Sequence, residues 1–156
     1  MPHCRRIRVL VATLPCLLGG CAATVPLERP SSDAAAKRFI PASGEAEVFV
    51  VRAGDRGSAF LVSVVLDGRN VGSLAPATFL RVPVAPGEHV VSVVNSANAE
   101  LSSIRAAAGK SYFVGVSTDV LFLGEAPDAH LREVSEQEGR GAVLSSRLAI
   151  ASIPLQ

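Results

Sequence analysis

Phe60-Leu61-Val62-Ser63-Val64-Val65-Leu66-Asp67-Gly68-Arg69-Asn70-Val71-Gly72-Ser73-Leu74 is the stretch on which the fold turns. Phe60, Val62, Val64 and Leu66 alternate onto one face, the two-residue period of a strand buried on one side. Asp67-Gly68 follows as a two-residue hairpin signal, because both residues tolerate the positive φ that such a turn requires. Arg69–Leu74 is the return strand.

The same grammar extends in both directions. Upstream, Glu47–Arg52 contains Val48, Phe49, Val50 and Val51 in succession, which predicts a strand buried on both faces. Downstream come Thr78–Val84, an Ala85-Pro86-Gly87 turn, His89–Asn95, Leu101–Ala106 and Ser111–Thr118, the last two joined across Gly109-Lys110. Leu131–Val134 offers one more strand. Ser135-Glu136-Gln137-Glu138 then fits a capping box, with Ser135 as N-cap and Glu138 three residues on. A helix from about 136 to 148 is expected, weakened by Gly139 and Gly141. Val143, Leu144 and Leu148 give it only a narrow apolar stripe, so it should lie on the sandwich surface or close one end. Ala149–Gln156 reads as a final edge strand or a loose tail. Short strands at close, regular spacing with no helix between them predict a mainly β chain. The expected fold is a single antiparallel β-sandwich of about seven to eight strands with one C-terminal helix, spanning 45–156.

Ahead of this domain, Arg5, Arg6 and Arg8 precede an apolar run from Val9 that ends in Leu18-Gly19-Gly20-Cys21. A positive n-region, a short h-region and small residues before a cysteine are the pattern of a bacterial lipoprotein signal, here 1–20. A membrane span needs roughly 20 apolar residues, and this run is shorter and is interrupted by Pro15. Cys21 is therefore expected to become the lipidated first residue of the mature chain, anchored in membrane lipid through its acyl chains. Ala22 beside it is not the aspartate that retains enteric lipoproteins at the inner membrane, so the periplasmic face of the outer membrane is the expected address. Residues 21–44 read as a flexible tether: Pro26, Pro30 and Pro41 with a Ser31-Ser32-Asp33 cluster bury little. Ser31 or Ser32 could cap a short helix within it.

Composition narrows function by exclusion. The chain holds 15 Lys and Arg against 14 Asp and Glu. Without the three leader arginines, residues 21–156 carry a formal net charge of −2, which suits neither nucleic acid nor a cation sponge. Cys4 and Cys16 leave with the leader and Cys21 is taken by lipid, leaving no internal disulfide and no thiolate metal site. With no Trp and 4% aromatic residues, the core must be built from Val, Leu, Ile and Ala.

The succession Ala35-Ala36-Lys37-Arg38-Phe39, Val48-Phe49-Val50-Val51-Arg52, Leu66-Asp67-Gly68, Val71-Gly72, Thr78-Phe79-Leu80, Val84-Ala85-Pro86-Gly87-Glu88-His89, Ala108-Gly109-Lys110-Ser111-Tyr112-Phe113-Val114 and Val134-Ser135-Glu136 through Gly139-Arg140 resembles one bacterial family. It is the lipoprotein family known as domain of unknown function 2846, and the likeness runs from about residue 34 to 148. More distantly, the Pro-Gly-His hairpin and the Ala-Gly-Lys-Ser-Tyr-Phe-Val strand are similar to β-sandwich modules of the PEGA type. The resemblance implies a sandwich and a lipoprotein leader, and brings no activity, cofactor or catalytic residues. The chain departs from the family pattern in the apolar loop around Val120-Leu121-Phe122-Leu123.

The candidate sites are few. Lys37, Arg38 and Phe39 set two cations and an aromatic where they could touch headgroups or a partner, or else form a snorkelling edge that packs Phe39 on the domain. Val120, Leu121, Phe122 and Leu123 are a partner surface if exposed and core if tucked in. The Arg52–Gly57 loop is a weaker anion or glycan contact. His89 and His130 with Asp119 or Asp128 make a Ser-His-Asp set only on paper. No Gly-x-Ser-x-Gly elbow precedes a helix, and His89 after its Pro-Gly turn fits a histidine bonding a loop carbonyl. After the leader, which holds His3, only these two histidines remain, and two separated histidines fall short of a zinc site. The expectation is a non-enzymatic accessory or binding module with no cofactor, held by lipid at Cys21 and joined to an envelope protein complex. The alternatives are a glycan or small-molecule binder with a pocket between the sheets, and a hydrolase.

Overall fold

The structure is a computed structural model, and it describes residues 24–54, 60–95, 98–119 and 128–152. In chain order the elements are α1 (Pro30–Ala36), β1 (Ala46–Arg52), β2 (Val62–Leu66), β3 (Arg69–Leu74), β4 (Thr78–Val84), β5 (Gly87–Val94), β6 (Ala99–Ala106), β7 (Ser111–Thr118), β8 (Ala129–Glu133), α2 (Glu136–Leu144) and β9 (Arg147–Leu148). The strands form a β-sandwich of two sheets, ordered β8-β7-β1-β4-β9 and β3-β2-β5-β6. Most neighbours are antiparallel, as expected, but β1 pairs parallel with β7 and β4 pairs parallel with β9.

The deciding hairpin forms as its sequence requires. Asp67 and Gly68 take φ +48° and +77°, and Val62, Val64 and Leu66 face the interior. They meet Val48 and Val50 of β1, Leu80 of β4, Val91 and Val93 of β5 and Val114 and Val116 of β7 in an aliphatic layer between the sheets. β1 is buried along its whole length because its other face is covered too. Phe49 and Val51 point outward from the five-stranded sheet into a second layer with Phe79, Phe113, Ala36, Phe39, Val143 and Leu148. α1 and α2 roof that layer. The core is therefore aliphatic only between the sheets, since four phenylalanines are collected on the outer side.

Residues 24–44 are not a tether from Thr24 onward. Leu27 bridges Ala149, Glu28 N–H donates to the Leu148 carbonyl (2.9 Å), and Ile150 N–H donates to the Pro26 carbonyl (2.9 Å). α1 opens with Arg29 as N-cap and Pro30 in its first turn, without the serine cap expected from Ser31 or Ser32. The fold holds this short helix through Asp33, whose carboxylate accepts the Leu148 N–H at 2.8 Å and pairs with Lys37 at 2.7 Å. Burial of Ala36 and Phe39 completes the docking. Local composition lacked apolar surface, but a preformed sheet supplied the other half of the contact.

At the C-terminal end, Ser135 Oγ accepts the Glu138 N–H as an N-cap should (3.2 Å), while the Glu138 carboxylate turns to Arg132. α2 stops at Leu144, short of the expected 148. Residues 147–148 leave the helix because the free edge of β4 has backbone groups to satisfy: Arg147 N–H reaches the Ala77 carbonyl and Ala149 N–H the Phe79 carbonyl. Gly139 is where α2 crosses the sheet, and a Cβ there would lie 2.3 Å from Phe113. Side chains close the opposite seam of the sandwich. Asn98 exchanges two hydrogen bonds with the Ala129 backbone (2.8 and 2.9 Å), and Glu100 accepts the Leu131 N–H (2.8 Å), covering the open edge of β8.

Candidate functional site

Of the residues singled out in the sequence, Cys21 and Val120, Leu121, Phe122 and Leu123 lie outside the described residues. Lys37 and Phe39 are structural. Lys37 Nζ donates to the Ser146 carbonyl and pairs with Asp33, both at 2.7 Å, with the Phe79 ring 5.8 Å away. Phe39 is buried, its ring 5.3 Å from Phe49 and 5.8 Å from Phe113, with the Arg140 guanidinium over it at 4.6 Å. It occupies φ +55°, a region a bulky side chain rarely adopts, so packing holds it there against its backbone preference. Only Arg38 of the trio keeps an exposed side chain. In the Arg52–Gly57 loop, Arg52 is fully buried. Its guanidinium donates to the Phe60 carbonyl (2.7 Å) and Thr118 Oγ1 (3.1 Å), tying the ends of three strands together.

The two histidines occupy different environments. His89 Nδ1 lies 2.6 Å from Asp67 Oδ2 and Nε2 lies 2.8 Å from the Ala85 carbonyl. Both partners are acceptors, so the doubly protonated ring satisfies both at once. Burial alone would lower the His89 pKa, but the Asp67 hydrogen bond, the Ala85 carbonyl and the Asp67 charge outweigh it and raise the pKa above 6.5. Burial would likewise raise the Asp67 pKa, yet the His89 and Val90 hydrogen bonds and the His89 and Arg69 charges bring it below 3.8. This is a clip fastening the β2–β3 turn to β5, the carbonyl-bonding role expected of His89. His130 is half-buried at the sheet edge, with Nε2 3.3 Å from Asp119 and Nδ1 3.4 Å from Glu100. The Asp119 hydrogen bond, helped by the Asp119, Glu100 and Asp128 charges, raises its pKa. Both ring nitrogens of His89 and of His130 thus face acceptors. Among the described residues, no group of three or more His, Cys, Asp and Glu side chains is arranged to hold a metal ion.

Sequence reasoning missed a buried ion pair. Glu47, on the outer face of β1, is enclosed, and Arg81 of β4 donates to its Oε1 through Nε at 2.8 Å and also through Nη2. Oε2 has no hydrogen-bond partner among the described residues. The signal was available: Glu47 and Arg81 are charges inside otherwise apolar strands, but pairing them requires the β1–β4 register.

The two sheets differ in what covers them. The outer face of the four-stranded sheet carries Val65, Ser92 and Leu101 in one cross-strand row, with Val90 opposite Ser103 and Val94 opposite Ala99 in the flanking rows. Leu101 is 68% exposed, Val90 43% and Val94 39%. Neither helix covers this face, so its apolar side chains stay exposed among the described residues. Between the sheets, side chains from both inner faces are buried in one aliphatic cluster. No helix among the described residues is long and apolar enough to cross a membrane.

No family model matches the chain, and no solved structure matches it. A curated relative, an uncharacterised protein of Haemophilus influenzae, is 29% identical over 146 residues, covering 92% of this chain and 84% of its own length. The similarity therefore extends over almost the whole sequence, and the chain is similar to a protein whose printed name assigns no activity.

Proposed function

We propose that this chain is a lipid-anchored protein of the bacterial cell envelope, acting as a non-enzymatic accessory or binding module in an envelope assembly. The observation that carries the reading is the leader, Arg5-Arg6-Ile7-Arg8 followed by the apolar run into Leu18-Gly19-Gly20-Cys21. Two features of the fold support the binding part. Among the described residues, His89 and His130 each face acceptors with both ring nitrogens, which suits a structural role at a turn and at strand ends. The uncovered sheet face around Val65, Val90, Val94 and Leu101 suits a flat apolar partner surface. The outer membrane, facing the periplasm, is the proposed address.

The experiment is metabolic labelling with a clickable palmitate analogue, comparing the native chain with Cys21→Ala, followed by in-cell crosslinking and mass spectrometry of both. The expected result is acylation of the native chain alone, together with a recurrent protein neighbour that Cys21→Ala loses. Equal label in both forms would remove the anchor. An acylated chain with no recurrent neighbour would leave an anchored protein without the accessory role.

A further inference from the structure

The chain joins its folded unit sooner than its composition implies. Thr24 and Val25 line a shallow depression together with Ala75, Pro76, Ala77 and Arg147. The next residues are already hydrogen-bonded to the β9 segment, through Pro26 with Ile150 and Glu28 with Leu148. Only Ala22 and Ala23 separate Cys21 from Thr24. Three peptide steps reach on the order of 10 Å when fully extended. A flexible tether over 21–44 would instead have an average reach of about 25 Å. The polar headgroup layer is itself roughly 5–8 Å deep in each leaflet. An acyl group on Cys21 therefore holds the domain within a few ångströms of the headgroup layer.

We propose that the surface around Thr24, formed by the β3–β4 turn (75–77) and the α2–β9 turn (145–146), rests on phospholipid headgroups, so that the anchor sets the domain's orientation as well as its location. This rests on the lipidation reading above. The surface is suited to the role. Pro76 and Ala77 are small, Leu144 is 58% exposed, and Arg147 presents a cation to anionic headgroups. The residues lining the depression include no carboxylate, although half-buried Glu28 follows in the chain. The platform is also stiff. Thr78 Oγ1 accepts the Ala75 N–H (3.0 Å) and donates to the Ala75 carbonyl (2.7 Å), while Arg147 N–H closes on the Ala77 carbonyl. The opposite end of the strands, with the Asp67-Gly68 turn and Lys110, then stands roughly 20 Å further from the bilayer, one strand length away.

The test uses the full lipidated chain in vesicles of phosphatidylethanolamine and phosphatidylglycerol that carry a headgroup spin-label quencher. A fluorophore is placed at Ser145→Cys on the proposed membrane face, or at Lys110→Cys on the far end. Several-fold stronger quenching at position 145 than at 110 is expected. Inserting about twenty Gly and Ser residues between Ala23 and Thr24 should erase the difference. Equal quenching at the two positions without the insertion, in protein whose Cys21 acylation is verified by mass spectrometry, overturns the orientation and leaves the anchor intact. Absence of acylation at Cys21 overturns both.

Discussion

The two faces of the five-stranded sheet are packed on different terms. Its inner face meets the second sheet through Val48, Val50, Leu80, Val114 and other aliphatic residues, each placed by the alternation of its own strand. Its outer face meets two helices through Phe49, Phe79 and Phe113, with Phe39 and Val143 brought from segments 104 residues apart in the sequence. Strand periodicity specifies the first layer one element at a time. The second exists only after the sheet has formed, because α1 and α2 have too little apolar surface to order alone. Burying aliphatic residues in a strand pattern is a local property, whereas roofing a sheet is a property of the assembled chain.

The largest expected effect tests whether the aromatic roof contributes as much as the sandwich core. Phe49→Ala should lose about 3–5 kcal/mol and Leu80→Ala about 2–5 kcal/mol, since both side chains are fully enclosed. Urea unfolding would compare them. A cost below 1 kcal/mol at Phe49 would mean the helical layer is decoration. Next comes Arg81→Met, which strips the buried Glu47 carboxylate of its cation and should cost roughly 3 kcal/mol in the same assay. The double variant Glu47→Leu with Arg81→Met should recover most of that loss.

A paired substitution in α2 sharpens the comparison further. Gly139→Ala drives a methyl group into Phe113 and should destabilise by about 1–3 kcal/mol. Gly141→Ala meets nothing within 4 Å and should stabilise by about 0.5–1 kcal/mol through helix propensity. Thermal melts of the two variants should move in opposite directions, and movement in the same direction would mean that the helix does not sit on Phe113.

The smallest effect belongs to the four-stranded sheet, at its Asp67–His89 clip. The folded His89 pKa is raised, so its contribution is full below pH 6.5 and is lost as pH rises through the folded value. The folded Asp67 pKa is lowered, so its contribution is present above 3.8 and is lost as pH falls through the folded value. The clip is thus strongest between about pH 4 and 6.5. With Asp67 half-exposed, its amplitude should stay under about 1 kcal/mol. Replacing His89 by Gln should flatten the loss of stability above pH 6.5. An unchanged profile in that variant would assign the pH dependence elsewhere.

Much of the sandwich was legible because each strand carries its own period and each turn its own chemistry. Seven strand positions, the Asp67-Gly68 hairpin and the Ser135 cap follow from residues a few places apart. Packing of Phe39 on the domain was one of the readings its sequence offered, but the partners of Lys37 and Phe39, namely Asp33, Ser146, Phe49 and Phe113, were not legible, because tertiary contact joins them. Nor did the strand pattern reveal that Asn98 and Glu100 would serve the backbone of β8 across the seam.

Sequence by itself determined the β class, the approximate strand positions and the inward face of β2 over 62–66, since these depend on side-chain alternation and on turn residues that tolerate particular φ values. Tertiary structure alone decided that residues 24–44 fold onto the domain, that Gly139 is a contact point and not a flaw in a helix, and that 147–148 end as strand. In each case the deciding energy comes from a surface or a free strand edge contributed by residues far away in the chain, which no local pattern encodes.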